Sequence, residues 1–250
     1  PYLKRDDEID IQKIMNWEEV KEIIVPELVC TRRAGENLED LIYRNVEGTD
    51  LAIIYRVKQQ VANIVGSIKV SKQMMETWGV DENRIHEFAF HNMNQLSTLQ
   101  IVELNSDFAM PEETFSELPE KMNKYSSYVF TNKEAFYGAA TIMEEGMLHS
   151  IAERLQEGFY LLPMDVDNIV VYPEGMMKNL ESIHSMVLIH NIQCLEPENY
   201  LSDQVYYYSK EKGELSMSTN PENTQDVIIK ILQQAMECSP GKKEDYGEER

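Results

Sequence analysis

Apolar positions in the first third of the chain recur mainly at helical spacing. Trp17, Val20, Ile23 and Ile24 share one face, Asn16 stands at an N-cap position, and Glu19 three residues on completes a capping box. Pro26 should kink or end that helix. A short second helix is expected from about Leu38, carried by Leu41 and Ile42. Two runs rich in β-branched residues, Leu51 to Val57 and Ile64 to Val70, read as strands. Ser71 then caps a short helix ending at Gly79, and Asp81 caps a longer one to about Leu96.

After Tyr125 the pattern becomes rhythmic. Tyr128–Thr131 and Ala139–Met143 read as a strand pair, followed by a helix at Met147–Glu157 closed by Gly158. Phe159–Leu162 and Ile169–Tyr172 form a second pair, with a helix at Leu180–Ile192. Val205–Ser209 and Glu214–Ser218 form a third, turned at Lys210-Glu211-Lys212-Gly213, with a helix at Gln225–Cys238. The predicted class is α+β. It is an antiparallel sheet of successive strand–strand–helix units with helices on one face, preceded by a more helical N-terminal part.

The expected organisation is a polar segment at 1–16, an N-terminal part at 17–105, a connector at 106–127 with one helical turn, a sheet part at 128–238 and a charged tail at 239–250. Pro111 and Pro119 amid Glu-rich sequence mark the connector, and the tail lacks apolar periodicity, as a disordered end would. The chain opens at Pro1 rather than Met, in a polar stretch, as a trimmed chain would.

Charge narrows the function classes. Lys and Arg number 23 against 44 Asp and Glu, a formal net charge of −21. That excess disfavours binding to nucleic-acid phosphates and docking on an anionic membrane, and no apolar run reaches the roughly 18–20 residues of a membrane span. Cys30, Cys194 and Cys238 are far apart, with no C-x-x-C, which suits neither a disulfide framework nor a zinc ribbon and points to the cytoplasm.

Nucleotide-binding, kinase and hydrolase signatures are absent from the sequence. His86-Glu87-Phe88-Ala89-Phe90-His91 misses the zinc-protease spacing by one residue, which turns the two rings roughly 140° apart at about 100° per residue. Asn92 falls inside the apolar stripe of Ile85, Phe88, Ala89, Met93 and Leu96, so its amide needs partners: a neighbouring backbone or a ligand. His184 lies in the stripe of its helix and becomes a general base only beside a carboxylate or nucleophile. Asp165-Val166-Asp167-Asn168 sits between two strands, where paired carboxylates could hold Mg²⁺ or Mn²⁺ or simply make a turn. Tyr206, Tyr207 and Tyr208 alternate across a strand, so at least one ring should face solvent or a partner.

Several stretches carry a family resemblance. Gly138-Ala139-Ala140-Thr141-Ile142, Ile151-Ala152-Glu153-Arg154-Leu155, Phe159-Tyr160-Leu161-Leu162-Pro163 and Ile169-Val170-Val171 resemble a domain-of-unknown-function family of clostridial-type gut anaerobes. Asp50-Leu51-Ala52-Ile53-Ile54, Ser67-Ile68-Lys69-Val70 with Trp78, and Leu201-Ser202-Asp203-Gln204-Val205-Tyr206 before Gly213-Glu214-Leu215 extend the likeness over most of Trp17 to Leu215. The chain departs from that pattern twice. Met164-Asp165-Val166-Asp167-Asn168 replaces a Ser-Ser-Ile-His-Glu-like stretch, and Glu144-Glu145 replaces an aromatic–Pro pair. The resemblance implies no activity, cofactor or catalytic residue.

The sequence therefore favours a non-catalytic domain acting on an unknown protein partner, without cofactor or metal, through a contiguous apolar or tyrosine-rich patch. The alternative is a metal-assisted hydrolase or phosphoryl-transfer enzyme using Asp165 and Asp167 with His184. A third reading is an acidic mimic of nucleic acid.

Overall fold

A computed structural model describes residues 11–32, 38–61, 64–105, 111–194, 196–220, 224, 226–229 and 231. The polar segment before Ile11 and the tail from Ser239 lie outside them. Of the helix expected at Gln225–Cys238, positions 226–229 and 231 are described, and they are helical.

The chain begins with two single-turn helices, α1 (Ile11–Ile14) and α2 (Trp17–Val20), the second capped by Asn16 Oδ1 accepting from Glu18 N at 3.1 Å. The expected helix stops there. Ile24–Cys30 is strand β1, buried along its whole length. An unbroken apolar run satisfies helical spacing and a doubly buried strand equally, and here the β-branched residues win. Pro26 is tolerated for a geometric reason. Lys58 N bonds Ile23 O and Thr31 N bonds Asp50 O, so odd-numbered residues of β1 exchange hydrogen bonds with the strand at Leu51–Val61. The missing N–H of Pro26 therefore faces the open edge.

The helix expected from Leu38 is also replaced. Leu41 bridges Ser71, and Tyr43–Asn45 is strand β2, paired to β3 (Leu51–Val61), which pairs with β4 (Ile64–Lys69). Helices α3 (Lys72–Trp78) and α4 (Glu82–Leu96) begin where their caps predict. Ser71 Oγ accepts from Met74 N and Asp81 Oδ1 from Arg84 N, and Gly79 closes α3 at φ +68°.

The second sheet has seven strands in the order β11-β10-β8-β9-β7-β5-β6, all antiparallel neighbours. They are β5 (Leu99–Leu104), β6 (Pro111–Phe115), β7 (Ser127–Asn132), β8 (Phe159–Pro163), β9 (Ile169–Pro173), β10 (Tyr206–Ser209) and β11 (Glu214–Met217). Strand β6 occupies part of the stretch read as a connector, and β5–β7 pairing carries the sheet across it.

Ala139–Met143 is not the partner of β7; Gly138–Met143 is a buried 3-10 segment. A Cβ on Gly138 would lie 2.5 Å from Asp167 O and 2.7 Å from Asn132 N. The run of small residues lets the backbone press close beneath β7, and Thr141 Oγ1 donates to Gly138 O at 2.7 Å.

The class is α+β, but the helices lie on both faces of the larger sheet rather than one. Phe159, Leu161, Ile169 and Val171 join the main core with Ile151, Ala152 and Leu155 of α5 (Met147–Leu155). Their alternates Leu162, Val170 and Tyr172 pack with Val187 of α6 (Leu180–Cys194) on the other side. The period-two alternation of the strands divides the two layers. No described helix is long and apolar enough to cross a membrane.

The sheets meet at the β2–β3 turn. Gly48 holds φ +77°, and a Cβ there would lie 2.2 Å from Leu215 O of β11. Gly48 O accepts from Met217 N at 3.0 Å. Beside it Tyr206 OH donates to buried Asp50 Oδ1 at 2.7 Å.

Candidate interaction site

The outer face of the larger sheet carries a row of tyrosines. Tyr172 on β9 stands opposite Tyr160 on β8, which stands opposite Tyr207 on β10. Side chains directly opposite on adjacent strands share a face, so the three rings form a line across the sheet. Tyr160 and Tyr207 have ring centroids 5.0 Å apart and are half-buried; Tyr172 is buried. Burial holds all three phenols above their ordinary pKa, reinforced by Glu174 at Tyr160 and Tyr207, so they stay protonated as hydrogen-bond donors. Tyr207 OH donates to Glu174 Oε2 at 2.9 Å, and Tyr172 OH to Met176 O at 3.2 Å.

Gly158 makes room for this row. A Cβ there would stand 2.5 Å from the Tyr207 hydroxyl and 2.8 Å from Tyr208 O. At its other end the row opens into a cleft of about 410 Å³, between the start of α6 and the loop before β7. Tyr172, Met176 and Ile183 line it, and Tyr125, 65% exposed, stands at its rim with the Lys124 ammonium 5.3 Å from its ring centroid.

Helix α6 runs beside the row. Its apolar residues wind round the whole helix, a pattern expected of a helix covered on all sides. Val187, Ile183, Met186 and Leu180 face the sheet. Ile189 and Ile192 do not, and are 37% and 51% exposed.

Tyr207 is therefore the outward member of the Tyr206–Tyr208 triplet. Tyr206 points inward to Ser202 and Asp50, and Tyr208 stacks on Phe159 at 5.3 Å. Asn92, buried in the α4 stripe, donates both amide protons to backbone: Lys21 O at 2.7 Å and Ile24 O at 2.9 Å. Ile24 O faces the open side of β1, so Asn92 supplies that edge carbonyl with a donor the sheet cannot. His86 Nδ1 shares a hydrogen bond with Tyr55 OH at 2.9 Å, while His91 is exposed.

Asp165 and Asp167 make a turn. Asp165 Oδ1 accepts from Asp167 N and Asn168 Nδ2, each at 2.8 Å. Asp167 Oδ1 accepts from Tyr137 N at 2.6 Å. That bond, with Asn132 bonded to both N and O of Phe136, holds a loop in which Ala135 and Tyr137 have φ of +46° and +56°. Burial holds the Asp167 carboxyl above its ordinary pKa.

His184 lies elsewhere, with Nε2 donating to Asp203 O at 2.8 Å. It shares no hydrogen-bond partner with the two aspartates. Among the described residues, no group of three or more His, Cys, Asp or Glu is placed to hold a metal ion.

Strand alternation marked Tyr206 to Tyr208 as a set with at least one outward ring, without choosing which, and did not mark Tyr160, Tyr172 or Tyr125. Register across three strands aligns them, and register is a tertiary property. The signal available in the sequence was α6, too uniformly apolar for a helix with one solvent face.

A family model described as a family of unknown function, DUF5688, matches residues 2–210. Comparison with curated proteins and with solved structures found no match.

Proposed function

We propose that this chain, which belongs to the DUF5688 family, is a non-catalytic interaction domain that binds a partner protein on the outer face of its larger sheet. The supporting observation is the tyrosine row Tyr172–Tyr160–Tyr207 running into the cleft at Tyr125. Tyrosine gives large contact area with few rotatable bonds and keeps a polar handle, and it is enriched at interface centres. Methionines such as Met176 and Met186 beside the row adapt to an apolar insert. Glu174 and Glu157 border the row at its Tyr207 end, while Lys124 and Lys178 stand at the cleft, so the fitting partner has an apolar centre and a rim carrying both charges.

Photo-crosslinking tests this. A benzoylphenylalanine replacing Tyr125 or Tyr207 in the full chain, expressed in its native cells, should give the same adduct from both positions. The exposed Glu76 of α3 should give none. Absence of an adduct at both tyrosine positions, or an equal one at Glu76, would overturn the reading. An adduct of twice the chain mass would identify the partner as a second copy.

A further inference from the structure

The opposite flank of α6 holds a second cleft, of about 420 Å³, at His184. At about 100° per residue, Leu180, Glu181 and His184 turn away from the Ile183 flank that lines the tyrosine cleft. Its other wall comes from Thr219, Asn220 and the helical residues Asp226 and Val227.

His184 is the deepest polar group, 4% exposed. A backbone oxygen only accepts, so Nε2 carries the proton in the bond to Asp203 O, and Nδ1 remains a lone-pair acceptor. Burial holds the ring below its ordinary pKa, which keeps it neutral. Thr219 Oγ1 donates to Gln204 Oε1 and accepts from Val205 N, so toward the cleft it too offers only an oxygen lone pair. Glu181 and Asp226, both exposed, bring two carboxylates to the mouth. Leu180 and Val227 supply aliphatic wall. Acceptors at the base, negative charge at the mouth and apolar sides between match a cation with several protons on a hydrocarbon stem.

We propose that this cleft binds a primary ammonium group on an aliphatic chain, either a lysine side chain of a polypeptide or a free alkylamine. Its lining excludes the alternatives by chemistry. An anion would meet two carboxylates and no described cation, and a bare metal ion would lack a convergent ligand set. The site is independent of the tyrosine row.

The experiment uses the full chain at constant ionic strength. Nα-acetyl-lysine methylamide and 1,5-diaminopentane are titrated by calorimetry against the neutral isostere Nα-acetyl-norleucine methylamide. The His184 ring signal, assigned by its loss in His184→Gln, is followed by NMR. We expect saturable binding of both amines, about tenfold or more tighter than the isostere, as for a charge-assisted hydrogen bond. The His184 signal should move, and Asp226→Asn should weaken binding several-fold without changing the melting temperature. Tighter binding of the lysine amide identifies a polypeptide ligand; tighter binding of the diamine identifies a free amine. Equal affinity for the isostere, a stationary His184 signal, or Asp226→Asn binding like wild type would overturn the proposal.

Discussion

Asn92, His184 and Asp50 are polar residues buried in this protein, and each is held by named hydrogen bonds. Asn92 illustrates how far sequence reasoning carries. Its position in the α4 stripe announced a buried amide needing partners, but Lys21 O and Ile24 O could be named only once β1 was seen to be an edge strand. His184 and His86 are alike in a second respect, because burial lowers the pKa of both. A histidine whose folded pKa lies below its unfolded value near 6.5 binds its proton first in the unfolded chain. Stability is then fully present above about pH 6.5 and falls as pH drops from there toward the folded pKa, by up to about 1.4 kcal/mol per pH unit per histidine. Urea melts at pH 7.5 and 5.5 should show wild type losing more stability between the two than His184→Gln. Asp167 titrates in the opposite sense, its pKa being raised, and cancels in that comparison. An equal loss in both proteins would show that His184 does not carry acid sensitivity.

At the scale of elements, the legible pieces were those with local signals. Ser71, Gly79 and Asp81 place α3 and α4 to the residue because capping acts over three or four positions. Replacing Asp81 by Ala should cost about 1 kcal/mol. A urea melt should then show a lower midpoint with an unchanged slope, since only a cap bond to Arg84 N is lost. The misread pieces share a different cause. Ile24 at the head of β1, read as the end of a helix, and Ala139–Met143, read as a strand, lie in stretches buried almost throughout. Uniform burial erases the periodicity that separates helix from strand. β5 and β6 went unread because their polar residues, Gln100, Glu103, Glu113 and Thr114, follow no two-residue repeat. Their strand character depends on pairing with each other and with β7.

Over the whole molecule, one hydrophobic cluster runs from α2 through both sheets to β11. The sequence suggested a division at 106–127, yet Ile101 of β5 and Tyr128 of β7 belong to the same core, and Gly48 and Asp50 fasten the smaller sheet to β10 and β11. Cys30 reports on that junction. Its thiol is 4% exposed, lies 3.6 Å from Asp50 Oδ2, and is pushed up to about 11 by burial and then by the Asp50 charge. In a Cys194→Ser/Cys238→Ser background, labelling of Cys30 by a thiol reagent at pH 8 should be negligible in the folded protein. Its dependence on urea should coincide with the loss of far-ultraviolet circular dichroism. Labelling that precedes the circular dichroism transition would mean that the two sheets separate before either unfolds.

The sequence by itself determined the α+β class, the membership of a family, the capped helices, the β8–β9 and β10–β11 hairpins and the outward or inward alternation of Tyr206 to Tyr208. All of these rest on interactions within a few residues or on a repeat of two. Only the tertiary structure decided the strand order, the placement of helices on both sheet faces, the turn made by Asp165 and Asp167, and the alignment of Tyr172, Tyr160 and Tyr207. The tyrosine alignment joins residues up to about fifty positions apart through hydrogen-bond register. A one-residue slip would send every ring to the opposite face. Local sequence states which faces a strand has; packing of the whole chain chooses which one is buried in the main core.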